Sequence, residues 1–489
     1  MYLGIDIGTS AVKALVVDKD QTVLATSDAP LKVSQPQAGW SEQSPEDWWA
    51  TTQICCSKLA QLLGARWGDI QAIGLSGQMH GAVLLNAHHK VLRPAILWND
   101  GRSAPQCDEM NAALGDIETT AGITAMPGFT APKVLWCAQN EPEIHHAIAH
   151  ILLPKDYVGL CLTGEMATDM ADAAGTLWLN QKLRQWDDSL CAASATDPVW
   201  LPKLHEGTQI TGGLSASAAE SLALKAGIPV AAGGGDAAAG ALGIGAVNEG
   251  DAFVSLGTSG QLFVANERYK PAPQTAVHCY AHCVPDRWFQ MAAMLNGASP
   301  MSWLADFLSQ DIASLLTKAE AASDAPLFLP YLTGERTPHN DANIRGSFYG
   351  LTPSTDGGSA MRSVVDAIAY TFCDARECLE QAGSPISTVA AIGGGSRSNF
   401  VLQTMSDAMD VTIQRYVGSE TGPALGAARL AMVATGNHTL AEVALKPAFD
   451  RAFTPRANQA ANHAQRLEQW RAMYRALQPL SLAKFGKTP

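Results

Sequence analysis

Ile228-Pro-Val-Ala-Ala-Gly-Gly-Gly-Asp-Ala-Ala-Ala-Gly-Ala-Leu-Gly-Ile-Gly245 lies near the middle of the chain, and its reading decides the fold. The apolar run Ile228 to Ala232 predicts a buried strand. It ends on Gly233, Gly234 and Gly235, whose missing side chains let backbone approach a ligand closely. Asp236 follows at once, and Ala237, Ala238 and Ala239 offer a small-residue helix start. A carboxylate at such a strand-to-helix turn points into the crevice where open α/β folds bind ligands. Two other readings fit the same residues. Gly233-x-Gly235-x-x-Ala238 matches a loose dinucleotide fingerprint, although Asp236 would then set a bare negative charge against the pyrophosphate. A plain glycine turn with Asp236 as helix N-cap needs no ligand at all.

Working outward, Tyr2 to Asp18 reads as two apolar strands joined by the turn Gly8-Thr9-Ser10, with Asp6 an acid near the tip of the first. Half a chain later Ser255-Leu-Gly-Thr-Ser259 echoes Asp6-Ile-Gly-Thr-Ser10, again between apolar runs. The matched pair predicts duplicated domains facing each other across a cleft. Backbone N–H groups and a Thr hydroxyl on each turn could clamp a polyphosphate from both sides. A second strand, triple glycine and helix unit appears at Val389 to Asn399, suited to a flat base or a phosphate lying on bare backbone.

Between these landmarks, Ser44-Pro45-Glu46-Asp47 predicts a capped helix running to Leu63. Ile70 to Leu75 reads as a strand ending in Ser76-Gly-Gln-Met-His-Gly81. Ile96-Leu-Trp98 likewise runs into a polar loop, and Thr130 to Lys133 opens another helix. Helical periodicity is expected over Ala360 to Leu379, from Phe400 to Met409, from Thr421 onward, and over about Ala464 to Leu477.

With 489 residues the chain is long enough for two or three domains, and 47% hydrophobic content with 43 Gly fits a glycine-turned α/β enzyme. The net charge of −13 without a dense Lys/Arg run argues against nucleic-acid or anionic-membrane partners. An acid at the sixth residue argues against a signal peptide, and no apolar run reaches membrane-spanning length, so a cytoplasmic protein is expected. Ten scattered cysteines are expected to be reduced. His278-Cys-Tyr-Ala-His282-Cys283 has no second knuckle with which to share a zinc ion. Gly486-Lys-Thr488 lacks the glycine of a Walker A loop at Ser481, and no His-Arg-Asp loop of protein kinases occurs.

The ordered set of paired Gly-Thr-Ser turns, Asp6, the Asp236 turn and the late triple glycine resembles the FGGY carbohydrate kinases, a branch of the actin-like ATPase fold, over about residues 2 to 435. Within that family, Gln78-Met-His-Gly81, Leu97-Trp-Asn-Asp-Gly-Arg102, Met126-Pro-Gly-Phe-Thr-Ala-Pro-Lys133, Pro154-Lys-Asp-Tyr157 and Tyr331-Leu-Thr-Gly-Glu-Arg-Thr-Pro-His339 are similar to the bacterial xylulokinase branch. The resemblance implies an α/β protein of two actin-like ATPase (ribonuclease H-like) domains with a cleft between them. It divides the chain into a sugar-binding domain with the catalytic Asp (1–245), a nucleotide-binding domain (246–440) and a C-terminal helical extension (441–489).

The implied reaction is ATP with D-xylulose giving ADP and D-xylulose 5-phosphate, with Mg2+. Asp236 would be the general base, and Asp6 with Asp236 would hold the metal. Met79, His80 and Trp98 would contact the sugar. Thr9, Lys13, Gly257 and Thr258 would face the phosphates, and Gly394, Gly395 and Asn399 the adenosine. A homodimer is also implied. Three features depart from the family pattern: Ala237 where an Asn or Gln usually follows the catalytic Asp, Cys137 in the first signature, and Ser359-Ala360 in the second. Rival expectations are an FGGY kinase for another ketose or polyol such as L-ribulose, an NAD-dependent dehydrogenase, and a non-catalytic sugar or nucleotide sensor.

Overall fold

Two seven-stranded sheets carry the chain, and both are built around a Gly-Thr-Ser hairpin. The computed structural model describes residues 1–418 and 422–485. Thr421 and Gly486-Lys487-Thr488 therefore lie outside the described residues, and the late helix is described from Gly422.

In the first sheet Tyr2–Ile7 pairs antiparallel with Ala11–Val17, which pairs antiparallel with Val23–Pro30. On its other side Tyr2–Ile7 runs parallel to Ala72–Gly77, then comes Pro229–Ala231, parallel, and Ile210–Gly213, antiparallel. The second sheet repeats this plan. Ala252–Leu256 pairs with Gly260–Asn266 and that strand with Trp288–Met294, both antiparallel. On the far side lie Thr388–Ile392 and Thr412–Tyr416, both parallel, and an antiparallel edge strand Phe449–Phe453. Val277–Ala281 is an extra strand at the opposite edge. The two hairpins differ slightly in closure: Ile7 pairs with Val12, whereas Leu256 pairs with Gly260.

The strand expected over the apolar run Ile228 to Ala232 is Pro229–Ala231, and the helix that follows is Asp236–Gly243. Gly234–Gly235 adds a short parallel rung beside Ser76 and Gly77. Gly235 takes the N-cap position, so Asp236 is the first helical residue and not the cap itself. Gly233, at φ +84°, makes the turn between strand and rung, a conformation that disfavours any residue with a Cβ. Ser44 also departs from expectation. Its helix, Pro45–Leu63, starts where predicted, but the hydroxyl bonds the Glu46 carboxylate instead of a backbone N–H. The strand expected at Ile70 to Leu75 is shifted to Ala72–Gly77. The segment 441–489, expected to be helical, supplies the edge strand Phe449–Phe453 before its helix Ala457–Phe485, because Thr412–Tyr416 needs a hydrogen-bonding partner on its outer side.

The helix Gly422–Ala434 comes from the second half of the chain yet packs on the first sheet. Gly4 and Gly74 are paired across the two central strands and leave a bare patch on that sheet. A methyl group at Gly4 would stand 2.0 Å from the Ala424 carbonyl oxygen, and one at Gly74 1.8 Å from that of Ala427. The other side of the same helix meets Asp236–Gly243, where a methyl at Gly426 would lie 1.8 Å from the Ala239 carbonyl oxygen. Backbone thus rests on backbone along a three-layer contact that fixes where Asp236 begins. Arg429 seals it, donating to the carbonyls of Leu242 and Gly243 at 2.7 and 3.1 Å. No helix among the described residues is long and apolar enough to cross a membrane.

Gly426→Ala is expected to destabilise the fold by at least about 1–3 kcal/mol through overpacking. Gly68→Ala, whose added methyl meets nothing within 4 Å, should stay within about 0.5 kcal/mol of the parent in a urea-denaturation comparison.

Candidate active site

The parallel strands of both sheets end at one crevice, on Ile7, Gly77 and Gly235 from one side and Leu256 and Ile392 from the other. Between them lies a cavity of about 150 Å³. Thr9, Met79, His80, Trp98 and Asp236 all line it, facing Ser259 and Gly260 of the second hairpin. Five of the residues expected from sequence therefore meet in one place, although they are drawn from Thr9 through to Asp236 of the chain.

Each wall residue is held by partners of its own. The Trp98 indole N–H donates to the Thr9 hydroxyl at 2.9 Å, and that hydroxyl donates to Gln78 Oε1, also at 2.9 Å. Gln78 Nε2 and the Trp48 indole both donate to Gln43 Oε1, while Gln43 Nε2 donates to the Thr9 carbonyl at 2.7 Å. Hairpin, cavity-lining tryptophan and buried helix are thereby tied into one network. The Thr9 hydroxyl is thus engaged on both sides, donating to Gln78 and accepting from Trp98. Behind Trp98, Asp100 accepts from the Ser41 N–H and from Arg102, fixing the loop that carries the indole.

His80 sits at φ +70°, an uncommon conformation for a residue with a side chain. Three contacts stabilise it. Its Nδ1 faces the Gly175 carbonyl at 2.7 Å, and its own carbonyl accepts from Lys133 Nζ and the Thr130 hydroxyl at 2.9 and 3.1 Å. Facing a carbonyl, Nδ1 must carry the proton, which leaves Nε2 as an acceptor. Burial pushes the imidazole well below its ordinary range, so the ring is neutral. His278, on the opposite wall, follows the same pattern, with Nδ1 at 3.2 Å from the Met291 carbonyl and its pKa pushed down to about 3 by burial.

Asp236 lies on the cavity floor, and Asp6 is buried behind it at 8% exposure. Burial raises Asp236 to about 7, and the neighbouring Asp6 carboxylate adds to the rise. Asp6 is raised to about 6 by burial, against the pull of Lys13 and Ser76. Two carboxyl groups close together in a poorly solvated floor resist simultaneous ionisation.

The remaining expected residues stand outside the cavity. Lys13 is exposed on the strand beside Asp6, and Thr258 is exposed at the second hairpin tip. Gly394, Gly395 and Asn399 form a neighbouring ledge at the end of Thr388–Ile392. A methyl at Gly395 would approach Leu256 Cβ to 2.9 Å, whereas Gly394 has open space beside it. Gly257 joins the ledge, its carbonyl accepting from the Ala298 N–H at 2.7 Å. The ledge can take a flat, weakly polar group, while the cavity suits a small polyhydroxylated one.

Asp6 Oδ1 is buried without a hydrogen-bond partner. No group of three or more His, Cys, Asp or Glu side chains is placed to share a metal among the described residues. A lone oxygen donor beside a second carboxylate fits Mg2+, which is commonly held by one or two carboxylates, substrate phosphates and water. The ten cysteines are free thiols, all buried except the half-buried Cys161.

Family models match most of the chain: the N-terminal domain of the FGGY family of carbohydrate kinases over residues 1–243, and its C-terminal domain over residues 252–435. The chain belongs to the FGGY family of carbohydrate kinases. It is 41% identical over 485 residues to a protein named xylulose kinase from Escherichia coli strain K12, covering 98% of this chain and all of that one. A xylulose kinase from Bacillus subtilis strain 168 is 36% identical, over 89% of this chain and 88% of its own. The crystal structure of a kinase from Brucella ovis, titled "xyloylose kinase", superposes with a TM-score of 0.94 at 41% identity, covering 98% of this chain and 99% of that one. The fold is the two-domain FGGY kinase fold, consistent with actin-like ATPases, and the protein is a carbohydrate kinase. The dinucleotide reading of Gly233 to Ala238 gives way, because Asp236 occupies the helix start that a pyrophosphate would need.

Sequence reasoning missed Gln43, His278 and Arg336 as contributors to the site. Gln43 sits in a two-residue strand with no motif around it. Arg336 was within a quoted motif, but nothing local says that its loop folds onto the cavity.

The raised carboxyl sets a sign for stability. With a folded pKa above the unfolded one, the native state binds the extra proton, so stability falls as pH rises from about 4 to about 7 and is flat above that. Asp236→Asn is therefore expected to unfold at a higher temperature than the parent at pH 8, the gap closing below about pH 4, as read by thermal melts across pH.

Proposed function

We propose that the chain transfers the γ-phosphoryl group of ATP to the 5-hydroxyl of D-xylulose, giving ADP and D-xylulose 5-phosphate. The observation that carries this reading is the meeting of Asp236 with both Gly-Thr-Ser hairpins around one small polar cavity. The names of the xylulose kinases that align along nearly the full chain support the choice of sugar.

Asp236 accepts the proton of the 5-hydroxyl as that oxygen forms a bond to the γ-phosphorus and the bond to the ADP oxygen breaks. A carboxyl with its pKa pushed up to about 7 is well matched to this task near neutrality. Trp98 supplies an apolar wall, and the neutral Nε2 of His80 accepts from a sugar hydroxyl. Backbone N–H groups of the two turns and Lys13 face the phosphates, and the Gly394, Gly395 and Asn399 ledge takes the adenosine. Asp6 and Asp236 would hold Mg2+ with the phosphate oxygens, and the bound ion would neutralise phosphate charge. Closing the two lobes excludes water from the γ-phosphate and limits hydrolysis. A cytoplasmic location and a homodimer belong to the same proposal.

One observation favours a second reading. Ala237 lines the cavity and offers no amide to a sugar hydroxyl, so an FGGY kinase for another ketose or a polyol is the alternative. Coupled ADP release across D-xylulose, D-ribulose, L-ribulose and pentitols separates the two. Highest kcat/KM on D-xylulose is the expected result, and preference for L-ribulose or a pentitol would establish the alternative. On the preferred sugar, Asp236→Asn should lower kcat by about 10²–10⁴-fold. The parent's kcat/KM should rise with pH through about 7 as the carboxyl loses its proton. Unchanged turnover in the variant would remove Asp236 from the chemistry and require another base.

A further inference from the structure

Arg336 lines the cavity, yet the mechanism above does not use it. Its backbone N–H bonds the Glu335 carboxylate, but its guanidinium makes no hydrogen bond or ion pair among the described residues. The group lies over the Trp98 ring, 5.9 Å from the centroid, and reaches toward Gly128, where an added methyl would stand 3.1 Å from Nη2. The loop beneath it is fixed. Glu335 accepts from the Leu295 N–H at 2.6 Å and from Asn296 Nδ2 at 3.1 Å, and Thr337 bonds the Ala276 carbonyl and the Ala293 N–H. An unpaired guanidinium on so well anchored a loop is a donor set held ready for a ligand.

The chemistry of the cavity says which ligand atom it meets. Asp236, His80 and His278 present acceptors, the two imidazoles having spent their single N–H on backbone carbonyls. The Trp98 N–H and the Thr9 hydroxyl are spent on each other and on Gln78. With the histidines neutral, Arg336 is the only formal cation among the lining residues. Sugar hydroxyls can donate to those acceptors, but a ketone oxygen can only accept. Asp236 follows Gly235, which packs on Met79, whereas Arg336 enters beside Gly128 and Trp98, and its charge acts on His80 and His278 but is not among the influences on Asp236.

We propose that Arg336 reads the ketone oxygen of the sugar and so determines specificity for 2-ketoses over the pentitols that lack this carbonyl. The inference rests on the ketose-kinase reading and adds to it the residue that recognises the keto end, away from the hydroxyl phosphorylated at Asp236.

The test compares kcat/KM for D-xylulose with kcat/KM for xylitol and D-arabinitol, the two alcohols formed by reducing that carbonyl. The proteins are the parent, Arg336→Met and Arg336→Lys, each checked for an unshifted melting temperature and for ADP binding. Losing a charge-assisted hydrogen bond made only by the ketose should cut the ketose-to-pentitol ratio by about 10–100-fold in Arg336→Met. Arg336→Lys, which keeps a cationic donor, should recover part of that ratio. An equal fall on ketose and pentitols, or no fall on the ketose, would overturn the assignment while leaving the kinase reading intact. A parent inactive on every ketose but active on pentitols would defeat both.

Discussion

The position of Asp236 depends on one contact, the bare-backbone seat of the Gly422–Ala434 helix on the first sheet and on the Asp236 helix. Gly4, Gly74 and Gly426 have no side chains to hold these layers apart, so carbonyl oxygens come within 2.0 Å of where a methyl would be. Close packing of this kind has few alternative arrangements, and it is inflexible to a single added carbon. It sets the origin of the Asp236 helix against the ends of the central strands. It also joins the two halves, since the second half of the chain supplies the helix that the first sheet needs.

From that seat follows the electrostatic character of the site. A carboxylate at a helix start is ordinarily stabilised in its charged form by the helix dipole. Here burial and the Asp6 carboxylate outweigh that, and Asp236 is raised to about 7. His80 and His278 add acceptors without adding charge, because burial keeps both imidazoles neutral, and Arg336 is the one formal cation among the lining residues. A cavity of this composition is arranged for a neutral, hydroxylated molecule rather than for an anion, which is the chemistry expected of a sugar kinase before phosphoryl transfer.

Much of the fold was legible in the sequence because its markers are local. Two Gly-Thr-Ser turns between apolar strands, and two strand, triple-glycine and helix units, give the duplicated topology without any knowledge of long-range pairing. Asp6, Thr9, Met79, His80, Trp98 and Asp236 were legible for the same reason: Asp6 is the next-to-last residue of its strand and the others stand close after a strand end. What was not legible depends on partners distant in sequence. Nothing near Gly4 or Gly74 announces that Ala424 and Ala427, in the other half of the chain, will rest on them. The Thr9 hydroxyl looked free for phosphate until Gln78 and Trp98 were seen to use it. Ser44 looked like a cap, but its hydroxyl is turned to donate to the Glu46 carboxylate and accepts from no backbone N–H of the helix. Arg336 became visible as a cavity residue only when its loop closed onto Trp98.

The central claim is that Asp236 stands within reach of the oxygen that receives the phosphoryl group. A crystal structure with D-xylulose and a non-hydrolysable ATP analogue tests it directly. The account predicts the Asp236 carboxylate at about 2.6–3.2 Å from the sugar's 5-hydroxyl, which would lie between it and the γ-phosphorus. A sugar bound in the cavity with that hydroxyl turned away from Asp236, and another residue at hydrogen-bond distance from it, would contradict the account.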